Sequence, residues 1–131
     1  MRIDNWPHYF HEAVEARRQQ PFEWGRNDCV MFAAACVEAM TGESPIKDLK
    51  PWKSDKTAHK RMAEVGGFEA WLDSNYKRIE WHEAMRGDIG IMDQSAGPII
   101  VVSVGTGWVG PSDEGLTQSP PNAVRLAWRV E

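Results

Sequence analysis

Cys29 is the residue best placed to do chemistry. It follows Asp28 and opens residues 29–40, an Ala-rich apolar run whose only charge is Glu38. A thiol in the first turn of a helix faces the positive end of the helix dipole and its unpaired N–H groups, which favour the thiolate. Such a thiol has a lowered pKa and is a candidate nucleophile. Asp28 is the candidate helix cap that would orient that turn. Just upstream, Trp24 offers a flat apolar wall and Gly25 a place where a substrate backbone can approach, so both are candidate substrate-binding residues. The competing reading makes Cys29 a small buried hydrophobe, since unpaired cysteines are among the most buried residues.

A nucleophile needs a base. The four histidines are His8, His11, His59 and His82, and none follows position 82. His82, six residues before Asp88 on the approach to the predicted sheet, is the candidate base; the alternative is a surface residue paired with a carboxylate. His8 and His11 share one side of a helix, but without a placed third ligand they read as a polar face with a His11–Glu15 pair rather than a metal site. No cofactor or metal is expected. Cys29 and Cys36 lie two helical turns apart, about 10 Å, too far for a disulfide. No CxxC occurs, and two free thiols suit a reducing cytoplasm.

The elements that must position these groups are legible. Trp6, Phe10 and Val14 share one face of a helix opened by Asp4 or Asn5 with Pro7 in its first turn and closed by Pro21. Asp28 or Asn27 caps the apolar helix 29–40, and Gly42 stops it. Further helices are predicted from Ser54 to Val65, ended by Gly66 and Gly67, and over residues 68–72. From Lys77 the pattern changes to strands at 77–81, 88–92, 98–104, 107–109 and 123–130. The run 98–104 is apolar on both parities and is predicted to be a central strand covered on both faces. Helices followed by strands give an α+β domain with a small antiparallel sheet. One domain is expected over 1–131, helical over about 5–75 and sheet over about 77–130.

Composition bounds the partners. At 131 residues and 42% hydrophobic content, the chain can bury a core without disulfides. No apolar run approaches the roughly 20 residues of a membrane span, and no apolar stretch follows Met1 to suggest a secretory signal. The net charge of −4 disfavours general nucleic-acid binding. Lys47, Lys50, Lys53, Lys56, Lys60 and Arg61 make a locally basic stretch, either a contact for an acidic partner or simply a solvated face. Of the 7 tryptophans, Trp24, Trp71 and Trp128 are assigned to the core, while Trp6, Trp52 and Trp108 sit in loop-like contexts and are candidates for an exposed interface.

The string Phe22-Glu23-Trp24-Gly25-Arg26-Asn27-Asp28-Cys29, followed by an Ala-rich helix, resembles the nucleophile segment of the NlpC-type, papain-like cysteine peptidases, which cut the peptide stems of bacterial cell walls. Arg86-Gly87-Asp88-Ile89 resembles the Gly-Asp step opening the first core strand of that family, and residues 98–105 look like its next strand. Residues 111–115 and Ala127-Trp128-Arg129-Val130 look like a compact phage-encoded branch found beside tail genes. The resemblance covers roughly residues 20 to 130 and implies a papain-like NlpC-type fold, with the backbone N–H of Cys29 helping to bind an oxyanion. It also exposes a departure. Ile99 stands where the family carries its general-base histidine, and the third polar residue falls near Pro111 or Ser112, where neither His nor Gln is present. Two expectations follow. One is a phage tail-tip or baseplate protein that keeps the fold as a structural component, made in the bacterial host cytoplasm, carried in the virion and partnered by other tail proteins. The other is an active peptidoglycan hydrolase with Cys29 as nucleophile, acting on the bacterial cell wall.

Overall fold

Four helices precede six strands, which is the α+β class expected from the sequence. The computed structural model describes residues 1–131. The helices are α1 (Trp6–Arg17), α2 (Cys29–Thr41), α3 (Asp55–Glu64) and α4 (Phe68–Asn75). The strands are β1 (Lys77–Ile79), β2 (Ile89–Gln94), β3 (Gly97–Ser103), β4 (Trp108–Ser112), β5 (Gly115–Ser119) and β6 (Leu126–Arg129). They form one sheet in the order β1-β6-β2-β3-β4-β5, with every neighbouring pair antiparallel.

Local chemistry explains the helix boundaries. Asp28 caps α2 by accepting the Met31 N–H on Oδ1 at 2.8 Å, and Gly42 ends the helix in the left-handed region at φ 83°. A side chain at Gly42 would be strained there, so glycine is the natural stop. Ser54 starts α3 with a reciprocal capping box to Thr57. The start of α1 differs from expectation. Asn5 adopts the left-handed conformation at φ 62° and its side chain makes no capping bond, so α1 owes its start to Pro7 and to the burial of Phe10 and Val14.

The helix α2 is buried nearly all round, through Val30, Phe32, Ala33, Ala34, Cys36, Val37 and Met40. One core joins α1 and α2 to the inner face of the sheet, where Ile89, Ile91, Ile100, Val102, Val109 and Trp128 project. The opposite face carries a smaller cluster of Val101, Trp108, Val124 and Ala127. β3 thus contributes Ile100 and Val102 to one layer and Val101 to the other, all within 1% of complete burial. That is the two-sided strand its unbroken apolar run requires.

Three features depart from the sequence reading. Residues 80 and 81 do not extend β1; a single 3-10 turn at Trp81–Glu83 forms instead, where the Glu80 N–H donates to Glu83 Oε1. β5 was not expected, because Gly115-Leu116-Thr117-Gln118-Ser119 has no apolar run. It forms as an edge strand whose register is set by the tight turn after Ser112 and by Leu116 N–H donating to the Arg18 carbonyl. Among the tryptophans, Trp52 and Trp108 are buried, Trp24 is only half-buried, and Trp81 is the exposed one. Three of the four buried indoles have found an acceptor: Asp28 for Trp52, Pro121 for Trp108 and Asp73 for Trp128, Trp71 being the fourth. Satisfying the N–H is what lets a loop-borne Trp be buried.

Asp88 knits the two ends of the chain together. Its side chain is fully buried and accepts four bonds: Arg2 Nη2 and Val130 N–H on Oδ1, Arg129 Nε and Met85 N–H on Oδ2, all at 2.9–3.0 Å. Arg2 also donates to the carbonyls of Val130 and Arg86 and lies 4.3 Å from the Trp6 ring centroid. A charge so desolvated is tolerable only with every lone pair engaged and cations alongside.

Candidate functional site

Cys29 occupies the first position of α2, and its sulfur meets β3 at the Ile100 backbone. The thiolate there has three favourable neighbours, the N–H groups of Ile100, Val30 and Cys29 itself. Two effects oppose them and win. Some of the residue's surface still meets solvent, but protein atoms crowd the sulfur, and this desolvation pushes the thiol from its ordinary 9.0 to about 11; the adjacent Asp28 charge acts in the same direction. The lowered pKa expected for a helix-opening cysteine is therefore reversed. The helix terminus does offer N–H groups, but Asp28 has taken the Met31 N–H and put a negative charge beside the sulfur. Desolvation and a like charge together outweigh a dipole effect confined to one turn.

Asp28 does more than cap. It is 2% exposed, and its Oδ2 accepts from Gly25 N–H at 2.9 Å and from Trp52 Nε1 at 2.6 Å. The carboxylate thereby ties the turn at residues 23–27 to the loop leading into α3. Gly25 is required by this tie. Its φ is 81°, and a Cβ there would lie 2.0 Å from the Trp52 carbonyl oxygen. The backbone that approaches Gly25 on that side is the main chain of Trp52. Trp24, beside it, packs edge-to-face on Phe22 at 4.7 Å and faces His59 at 6.3 Å. Asn27, buried next to Asp28, anchors the other side of the turn by donating to the carbonyls of Gln20 and Pro21.

The structure does not bring His82 to Cys29. His82 is exposed, sits on the 3-10 turn after β1 and meets Trp81 edge-on at 5.7 Å. β1 lies three strands from β3, about 14 Å at the usual strand spacing. Two of the other histidines are paired elsewhere. His8 pairs with Glu12, and His59 pairs with Asp55 at 2.6 Å. The expected His11–Glu15 pair is absent, because Glu15 binds Arg18 instead, at 2.7 Å. No group of three His, Cys, Asp or Glu side chains is arranged to hold a metal ion. Two surface clefts, of about 400 and 280 Å³, are lined by residues around Thr41 and Tyr76 and around Arg78 and Trp81, and Cys29 is in neither lining.

Cys36 is unpaired like Cys29 and entirely inside the core, where burial pushes its thiol up to about 12. Both thiols ionise later in the folded protein than in the unfolded chain. Their contribution is complete below pH 9 and is lost as pH rises through the folded values of about 11 and 12. Stability is expected to fall above pH 9 by up to about 1.4 kcal/mol per pH unit for each thiol. Urea melts at pH 8, 9.5 and 10.5 measure this, and a Cys36→Ala variant should show a shallower decline; equal slopes would show that other groups cause it.

A family model described as a domain of unknown function, DUF6950, matches residues 1–130. The chain belongs to the DUF6950 family. No curated protein shows a match to it. The DUF6950 match takes in every element described above, α1 and the C-terminal β6 included, so the Arg2–Asp88–Arg129 cluster lies wholly inside it. Sequence reasoning singled out Cys29, Asp28, Trp24 and Gly25, and these four do form one local unit. It missed Trp52, whose indole closes that unit, and the Ile100 backbone facing the sulfur. Neither leaves a sequence signal, since one acts from 24 positions away and the other through its main chain.

Proposed function

We propose that this DUF6950 protein is a degenerate relative of the NlpC-type peptidases that serves as a structural component, an assembly or hub element at a phage tail tip or baseplate. The observation that carries the non-catalytic part is the surroundings of the Cys29 sulfur. Its opposite wall is the Ile100 backbone, no imidazole reaches it, and burial holds the thiol protonated at neutral pH. A cysteine peptidase needs a base to take the thiol proton and an acid to give one to the leaving amine. Such help contributes about 10²- to 10⁴-fold. Asp28 cannot substitute, since both its oxygens are engaged and its charge opposes the thiolate. The tail setting comes from the resemblance of residues 111–115 and 127–130 to the phage-encoded branch.

The second reading is a cell-wall hydrolase in which Cys29 attacks a stem peptide. It is favoured by the backbone N–H groups of Cys29 and Val30, which stabilise a thiolate at the start of α2, and it requires a base from another chain. Iodoacetamide labelling decides between the two. On the structural reading, both thiols are sluggish at pH 6.5, Cys29 as well as the fully buried Cys36. Cys29 reacts about a hundredfold more slowly than a free thiol, from the two-unit rise to about 11. Fast, selective labelling of Cys29, or release of stem peptides from purified peptidoglycan that Cys29→Ser abolishes, would overturn the structural reading.

A further inference from the structure

Five of the six lysines fall between positions 47 and 60: Lys47, Lys50, Lys53, Lys56 and Lys60. All five are exposed. None joins an ion pair, whereas seven of the nine arginines are paired with carboxylates. Segment 47–61 holds six basic and two acidic residues, a local charge of +4 in a chain whose total is −4. The charge is organised. α3 turns Met62 inward with Ala58 half-buried beside it, which leaves Lys56, His59 and Lys60 on its outer face. That face borders an aromatic ledge, since the His59 ring lies 6.3 Å from Trp24 and Trp24 packs on Phe22.

We propose that this lysine face, with Trp24 at its margin, is a docking surface for a carboxylate-rich segment of another protein. Lysine ammoniums are point charges on flexible stems, which sense summed charge rather than the fixed fork that arginine offers to phosphate. A short acidic segment gains the patch's whole attraction. A long phosphate polymer running past it would meet the remaining surface, which carries −8. The half-buried Trp24 supplies the apolar anchor that protein interfaces favour beside a charged rim. This inference is independent of the chemistry at Cys29.

Titration calorimetry with a decaglutamate peptide tests it. In 50 mM salt the peptide binds, and raising salt to 200 mM weakens binding about tenfold, because screening acts strongly on exposed charges. Lys53→Gln/Lys56→Gln/Lys60→Gln weakens it by about tenfold or more, as loss of complementary charge does. Lys77→Gln, which alters the one lysine outside the patch, leaves it unchanged. Because the replaced lysines are exposed and unpaired, the triple variant keeps its circular dichroism and melting temperature. No binding by the wild type, or equal binding by the triple variant, overturns the proposal. Tighter binding of a ten-residue oligothymidylate would assign the surface to phosphate polymers instead. Salt-sensitive self-association abolished by the triple variant would assign it to a second copy of this chain.

Discussion

Replacing Asp88 with alanine is expected to destabilise the protein by about 3–5 kcal/mol, the cost of removing one partner from a buried ionic cluster. The deletion leaves Arg2 Nη2, Arg129 Nε and the N–H groups of Met85 and Val130 without their acceptor. Both arginine side chains are largely covered, at 11% and 25% exposure, so water restores little of what is lost. The effect reaches beyond the site, because Asp88 joins the N-terminal segment, the entry to β2 and the end of β6. Asp88→Asn should recover part of the loss, since its amide oxygen still accepts while its NH₂ faces donors. Urea unfolding measures both variants; a loss below about 1 kcal/mol for alanine would mean that water or neighbouring carbonyls replace the carboxylate.

Asp28→Ala is expected to cost about 3 kcal/mol, combining loss of a helix cap with two buried donors left unpaired. Those donors are Gly25 N–H and Trp52 Nε1. Asp28→Ser separates the contributions. A serine still caps α2 but is too short to hold Trp52, so it should fall between wild type and alanine. The same variants test the account of Cys29. Removing the neighbouring charge and loosening the turn should lower the thiol pKa, so Cys29 alkylation should be faster in Asp28→Ala than in wild type. Unchanged alkylation, with the stability loss present, would show that burial by α2 and β3 alone sets the thiol's inertness.

The elements were legible where pattern and local chemistry agree. Residues 29–40 could only be a buried helix, since eleven uncharged, mostly apolar residues with a cap before them and glycine after have one low-energy outcome. Residues 98–104, apolar on both parities, required two covered faces, and β3 has them. β5 was hidden because an edge strand needs no apolar run, and the end of β1 because a side-chain bond to Glu83 competes there with strand extension. The burial of Trp52 and Trp108 was invisible because it depends on acceptors 24 and 13 positions away.

The sequence by itself determined the α+β class, the start of α2 at Cys29 and a cap at Asn27 or Asp28, because these follow from composition, period and bonds within a few residues; the structure assigns the cap to Asp28. Only the tertiary structure decided what the site can do. Whether a thiol is poised or inert depends on its solvent, neighbouring charge and base, and folding decides all three: β3 buries the sulfur, the Trp52 indole and Gly25 N–H hold the Asp28 carboxylate in place, and His82 stays on a distant turn. Here that assembly surrounds the sulfur with protein, sets a carboxylate beside it and leaves the imidazoles elsewhere. A helix start that reads as reactive in one dimension is therefore a protonated thiol in three.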